Sequence, residues 1–317
     1  MSNGKKRLLS GVKPTGRPHL GNYFGAMRQF VTYQNEYNSL VMIADYHALN
    51  FVHDAAQMRE MTTGVVLDLL GIGLDLEKVV LFKQSDVPEH TEAAWIFDTI
   101  TSMTYLQRGH AYKDAQVKDK DINVGTFNYP MLMAADILLY DADVVPVGQD
   151  QKQHVEFARD TAEKFNRIFG DTFAIPQERI ETDVATVPGT DGQKMSKSYG
   201  NIIPLFGTED EITKAVMSIV TDSEGERPEH VYAIHKLFKG ESELESLYAN
   251  STGNYKVLKE ALAEDIENFV APMRERRSEF AEDHERVRRI IAEGGEKARA
   301  IASEKMKDVR SKIGVTA

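Results

Sequence analysis

The sequence contains no cysteine. Disulfides, thiolate metal sites, iron–sulfur clusters and a cysteine nucleophile are thereby excluded. Tryptophan occurs once, as Trp95, and its helical surroundings predict a core residue. Positive charge is not in excess: 38 Lys+Arg stand against 49 Asp+Glu, a formal net charge of −11. That balance argues against a generally basic coat for nucleic acid and leaves room for a local patch. Long apolar runs are missing too. The stretch "GVVLDLLGIGL" is broken by Asp68 and is too short to span a bilayer. The segment "MSNGKKRLLSG" lacks the apolar core of a signal peptide, so the expectation is a cytoplasmic protein with no membrane association. No internal repeat or low-complexity linker is visible. What is there is ordinary for a folded chain: 317 residues, 42% hydrophobic and 27% charged. One large or two medium domains with a sizeable core follow.

The first two thirds alternate between two periodicities. "RLLSG" predicts a short buried strand, and "VKPTGRP" a turn-rich loop. Tyr23, Phe24, Met27, Phe30 and Val31 then recur at helical spacing. "SLVMIADYHAL" is a continuous apolar run, as expected of a parallel strand covered on both faces. Asp54 can cap a helix running to about Leu70. "KVVLFKQS" predicts a third strand and "VPEHTEAAWIFDTITSM" a helix. Helix "YPMLMAADILLY", strand "DVVPVG" and helix "QDQKQHVEFARDTAEKF" follow. Such alternation predicts an α/β fold, a Rossmann-like doubly wound parallel sheet. Its ligands sit at the carboxyl ends of the strands, here near Gly11, His47 and Ser85. From Phe206 the chain is strongly charged and helically periodic. Residues 1–205 are therefore expected to form a catalytic domain and 206–317 an all-α C-terminal domain.

Two short stretches carry chemistry. In "PHLGNYFGAM", His19 and Asn22 stand three apart at the start of a helix. Unpaired N–H groups and a partial positive charge there suit an anion, although an ordinary capped helix would look the same. In "GTDGQKMSKSYGN", Lys194 and Lys197 alternate with Ser196 and Ser198 in a glycine-flanked loop. Ammonium groups and hydroxyl donors suit a polyphosphate, and a closing loop can stabilise charge as it develops. A solvated surface loop is the plain alternative.

Together the two stretches resemble the paired signatures of class I aminoacyl-tRNA synthetases. "HLGN", His19 to Asn22, occupies the four places of the first signature, and "KMSKS", Lys194 to Ser198, matches the second letter for letter. The resemblance implies that His19 and Asn22 hold ATP phosphates and that Lys194 and Lys197 act on phosphate charge. Asn22 stands where the signature ends in His. It keeps a donor but takes no charge, so it positions without transferring protons.

The middle of the chain narrows the substrate. At about 100° per residue, Tyr129, Met133, Asp136 and Tyr140 share one helix face. A carboxylate on an apolar, aromatic face needs a partner; a salt bridge or a local cap would serve. So would indole, a large apolar body with a single N–H donor. "YPMLMAADILLY" through "VVPVGQDQKQH" closely resembles tryptophanyl-tRNA synthetases, and the likeness runs from "SGVKPTG" to "GGEKARAIASEKM".

By that resemblance Asp136 receives the indole N–H. Tyr129, His47 and Gln151 hold the amino acid, and Met133, Val145 and Val147 form the walls. Lys13, Thr15, Gly21, Asn22, Asp150, Lys194, Ser196 and Lys197 contact ATP. Lys13 stands where the family commonly has Gln. "QRGHAYKDA" departs from the family's loop: Lys113 keeps one lysine, and Ala115 replaces another. The histidines His110, His154, His230 and His235 show no metal-ligand spacing, so no metal site is assigned and Mg²⁺ arrives with ATP.

The implied reaction is tryptophan–tRNA ligation. Tryptophan is first joined to the α-phosphate of ATP and then passed to the 2′-hydroxyl of the terminal adenosine of tRNA(Trp). A homodimer is implied as well. Tyrosyl-tRNA synthetase and a non-translational tryptophan- or nucleotide-binding paralogue are the alternatives. "MRERRSEFAEDHERVRR" holds six arginines against five acids; it is either a solvated face or a site that meets the tRNA backbone.

Overall fold

The computed structural model describes residues 4–109, 112–113, 116, 122–148, 151–180, 186–221 and 227–316. Asp150 and Ala115 lie outside the described residues. The strands are β1 (Arg7–Val12), β2 (Asn38–Ile43), β3 (Val79–Lys83), β4 (Val144–Val147) and β5 (Gln177–Ile180). They form a parallel sheet in the order β3-β2-β1-β4-β5. Leu9 sits opposite Leu40, and Leu40 opposite Val80.

Helices cover both faces, which is why these strands are apolar at successive positions. On one side lie α1 (Leu20–Asn22), α2 (Arg28–Tyr33) and, after a short α3 (Asp45–Ala48), α4 (Ala55–Gly71). Val41, Ile43 and Leu81 pack there with Leu20, Phe24 and Leu69. On the other side lie α5 (Glu89–Ile100), α6 (Met103–Leu106), α7 (Val124–Leu138) and α8 (Lys152–Phe169). Leu40, Met42 and Phe82 pack there with Phe97, Met131 and Phe165. Asp54 caps α4 through Gln57 N at 2.7 Å, as the sequence predicts. Asn123 caps α7 in the same way.

The chain beyond Phe206 is helical: α9 (Glu209–Met217), α10 (Glu229–His235), α11 (Glu241–Asn250), α12 (Tyr255–Glu282) and α13 (His284–Ile313). Ile212, Ile266 and Val270 share an apolar cluster with Leu69 and Leu70 of α4. Arg277 donates to the buried Asp68 carboxylate at 2.6 Å. Helix α13 lies against β3, at the edge of the sheet. A Cβ on Gly294 would stand 1.8 Å from the Leu81 carbonyl oxygen, so only glycine allows that approach. Among the described residues no helix is long and apolar enough to cross a membrane.

Four local expectations need correction. The run at 39–49 is not one strand: β2 ends at Ile43, and Asp45 opens α3 because its carboxylate accepts Ser85 N at 3.0 Å and bonds the Ser85 hydroxyl. Tyr140 lies just past the end of α7, not on its face. β5 has no counterpart among the expected strands, since "QERI" is polar and lies at a sheet edge. Trp95 is 70% exposed. The buried stripe of α5 runs through His90, Ala93, Ala94 and Phe97, and Trp95 falls outside that i, i+3, i+4, i+7 set.

Candidate active site

The chain builds outward from β1 to β3 on one side, then returns to lay β4 on the other side of β1. Helices diverge where the strand order reverses, and a crevice opens at the carboxyl ends there. The cavity at this point measures about 660 Å³, within the ordinary range of ligand pockets. Leu9 and Gly11 of β1 and Val145 and Val147 of β4 contribute backbone and walls. Lys13, His47, Tyr129, Met133, Asp136, Gln151 and Lys194 are among the residues that line it. Every described residue expected to hold tryptophan is therefore brought together, with Lys13 and Lys194, two of the lysines expected to contact ATP.

Asp136 is the anchor of this cavity and is only 2% exposed. Its Oδ2 accepts from His47 Nε2 at 2.8 Å. Its Oδ1 takes two donors, Gln84 Nε2 at 2.7 Å and His90 Nδ1 at 2.6 Å. Burial pushes the carboxyl up, but the hydrogen bonds from His47 and His90 outweigh it and hold the group near about 2. The buried carboxylate is thus charged and paired, as desolvation demands. Tyr129 and Gln151 are linked through one ring: the Tyr129 hydroxyl meets His154 Nε2, and His154 Nδ1 meets Gln151 Oε1 at 2.7 Å. Burial raises the Tyr129 phenol, which stays neutral.

The residues expected to meet phosphate form a second layer at the junction of the two signatures. Leu20 N donates to Ile203 O and Leu205 N to Pro18 O, both at 3.0 Å. These bonds tie the first signature to the chain just after the second. His19 caps α1: its Nδ1 accepts from Asn22 N at 3.3 Å, while Asn22 Oδ1 accepts from His19 N at 3.1 Å. A helical stretch of π type follows at Tyr23–Met27, the kind of distortion often found at functional sites. Gly21 N faces Met195 Sδ at 3.4 Å, and a Cβ there would stand 2.9 Å from His19 Nδ1 and 3.3 Å from Met195 Cβ. Gly21 is needed for the closeness of the two signatures.

Lys197 Nζ donates to the carbonyls of Thr15 at 2.7 Å and Gly16 at 3.1 Å. Burial, then the charge of Lys197, lowers the His19 imidazole to about 4, so the ring is neutral at pH 7. With Nδ1 accepting, its proton sits on Nε2, a donor. Burial also lowers the Lys197 ammonium, against the pull of Asp68. Ser196 Oγ pairs with Ser198 Oγ at 2.8 Å.

Four residues of this architecture have no part in the expectations drawn from sequence. Gln84 and His90 hold Asp136, and His154 bridges Tyr129 to Gln151. Asn201, 2% exposed, fixes the lysine loop: its Oδ1 accepts from Ser196 N at 2.8 Å, and its Nδ2 donates to Asp191 Oδ1 at 2.7 Å and Lys194 O at 3.2 Å. Its place after Gly200, at the end of a glycine-flanked loop, is the signal that could have found it.

Comparisons with known proteins agree with this geometry. The family of tRNA synthetases class I (W and Y) matches residues 1–284. The chain is 46% identical to a tryptophan–tRNA ligase of Fusobacterium nucleatum, covering 98% of both chains. It is likewise 46% identical to that of Rhodopirellula baltica, over 98% of this chain and 99% of the relative. A crystal structure of tryptophanyl-tRNA synthetase from Campylobacter jejuni, complexed with ADP and tryptophan, superposes with a TM-score of 0.92 at 41% identity, covering 97% of this chain and 99% of that one. A tyrosyl-tRNA synthetase from Archaeoglobus fulgidus shares the fold at 20% identity and a TM-score of 0.65. Paired signatures at one switch point and full-length likeness together place the chain in the class I aminoacyl-tRNA synthetase family, among the tryptophan–tRNA ligases.

Proposed function

We propose that the crevice between β1 and β4 activates tryptophan with ATP, Asp136 receiving the indole N–H. The carrying observation is a buried, charged carboxylate among Tyr129, Met133, Val145 and Val147, on the lining of a cavity whose polar side holds Lys13, Gln151 and Lys194. His47, Tyr129 and Gln151 hold the amino acid, and Met133, Val145 and Val147 wall the ring. ATP enters as its Mg²⁺ complex, with its phosphates at the signature junction. Asn22 and the Nε2–H of neutral His19 donate there, Lys13, Thr15, Gly21 and Ser196 border the nucleotide, and Lys194 and Lys197 supply positive charge. Asp150 is assigned to the same side on sequence grounds alone.

The tryptophan carboxylate attacks the α-phosphorus, an O–P bond forms, and the bond to the β-phosphate oxygen breaks to release pyrophosphate. No proton must move, so positioning and charge stabilisation suffice. The 2′-hydroxyl of the terminal adenosine of tRNA(Trp) then attacks the aminoacyl carbonyl, an ester forms, the bond to the phosphate oxygen breaks to release AMP, and the hydroxyl proton is lost. Residues 206–317 recognise the anticodon, and the ligase works in the cytoplasm, where ATP and tRNA are found. Asp136→Ala should cut kcat/KM for tryptophan by roughly 10–150-fold, the loss of a hydrogen bond to a charged group, while KM for ATP stays within about threefold. An unchanged tryptophan kcat/KM would remove Asp136 from the site.

A homodimer is part of this reading. Trp95, Met103 and Val124 are 70%, 68% and 79% exposed on helices that pack together, and such apolar exposure favours a partner. Sedimentation should find a dimer that Trp95→Glu dissociates; a wild-type monomer would refute it.

A further inference from the structure

Asp136 is surrounded by more donors than an anchoring role alone requires, and their arrangement is countable. A carboxylate offers about four in-plane acceptor positions, two on each oxygen. Oδ1 is filled by Gln84 Nε2 and His90 Nδ1, at 2.7 and 2.6 Å. Oδ2 holds one donor, His47 Nε2 at 2.8 Å. Among the described residues one acceptor position is left, on the oxygen paired with His47, a residue that lines the cavity.

Behind the carboxylate the order continues. His90 is completely buried, and its Nε2 lies 2.8 Å from the Tyr140 hydroxyl. Tyr140 is completely buried as well, tilted against Phe82 at 5.4 Å. An ionised Asp136 only accepts, so His90 Nδ1 must carry the ring proton. In a neutral ring Nε2 then accepts, and the Tyr140 hydroxyl donates to it. Gln84 fits the same logic. Its Oε1 is buried with no partner among the described residues, yet turning the amide over would set that oxygen against the Asp136 carboxylate.

Resting on the assignment of Asp136 to the indole, we propose that His90, backed by the Tyr140 hydroxyl, is a specificity-determining positioning residue for tryptophan. It saturates Oδ1 together with Gln84 and so fixes the carboxylate with a single open acceptor toward the ring. One open acceptor matches one N–H. A carboxylate free to rotate would offer acceptors in several directions and would tolerate side chains with a differently placed donor, or with none.

The test compares tryptophan with an analogue in which sulfur replaces the indole N–H. The ratio of their kcat/KM values in ATP–pyrophosphate exchange is the readout, measured with the full chain. Tyr140→Phe removes one oxygen and His90→Phe removes both ring nitrogens. His90→Phe should lower the preference for tryptophan by about tenfold or more, the scale of a hydrogen bond to a charged group, and Tyr140→Phe by about two- to tenfold, the scale of a bond between neutral groups, with KM for ATP unchanged in both. His90→Asn keeps a donor at the place of Nδ1 and should retain most of the preference, which a merely structural role does not explain. Asp136→Ala is measured alongside. A preference lost in Asp136→Ala but kept in both Tyr140→Phe and His90→Phe would overturn the role of His90 and leave the pocket intact. A preference kept in Asp136→Ala would overturn the pocket assignment, and this proposal with it. Should His90→Phe not fold, Tyr140→Phe and His90→Asn decide the matter.

Discussion

His19 shows how a single side chain can be read twice. In sequence it is the first letter of a phosphate signature. In the structure it is also the cap of α1 and a buried neutral imidazole, lowered by burial and by Lys197 to about 4. A consequence follows for stability. Between about pH 6.5 and pH 4 the unfolded chain takes up a proton at His19 that the folded ring refuses. Stability therefore falls as pH drops through that window, with a slope of up to about 1.4 kcal/mol per pH unit. His19→Asn keeps a capping acceptor and removes the titration, so its unfolding free energy should depend less steeply on pH there. Parallel pH profiles of unfolding free energy for the two proteins between pH 6.5 and 4.5 would contradict this. The residues legible in sequence at this scale are those whose motif or helical face is local: His19, Asn22, Lys194, Tyr129, Asp136. His90 and Gln84 meet Asp136 across separations of 46 and 52 residues, and no spacing rule connects such positions. Trp95 departs from expectation for a different reason. A lone aromatic on a helix suggests a core residue, yet the stripe through His90, Ala93, Ala94 and Phe97 already defines the buried face.

The lysine loop is the element on which the proposed chemistry rests. Its backbone is held by Asn201 and its Met195 is buried against Gly21. Lys194 and Lys197 are thereby presented from a fixed base, both largely exposed, with the Lys197 ammonium tucked against the Thr15 and Gly16 carbonyls. Charge that meets phosphate only as pyrophosphate leaves acts on the transition state. Lys194→Ala and Lys197→Ala should each lower kcat for adenylate formation by roughly 10²-fold and leave tryptophan binding nearly intact. Single-turnover rates at the wild-type level would exclude that role. The alternation of strands and helices is legible because a buried parallel sheet writes apolar runs and its helices write stripes. Element ends are less so. The turn at Ala44 depends on Asp45 meeting Ser85 forty residues away, and β5 has no apolar run to announce it.

In the whole molecule, a net charge of −11 must coexist with a polyanionic substrate, so tRNA binding has to be local. The arginine segment divides in the structure. Arg276 and Arg277 bond to Gly71 O and Asp68, and Arg274 to Gly207 O and Glu267, so these three serve packing. Arg286 lies over Phe280 at 4.5 Å, and Arg288 and Arg289 are exposed. Replacing Arg286, Arg288 and Arg289 with Gln should weaken tRNA affinity in charging and flatten its salt dependence by about one unit for each phosphate that is no longer neutralised. Pyrophosphate exchange, which needs no tRNA, should not change. Equal charging and an equal salt slope would make those arginines a solvated face. The central claim is more direct still: one cavity, with one open acceptor, activates one amino acid. ATP–pyrophosphate exchange with each of the twenty amino acids measures it. The account predicts rapid exchange with tryptophan and background levels with the rest, tyrosine included. Exchange with tyrosine as fast as with tryptophan, or none with any amino acid, would contradict it.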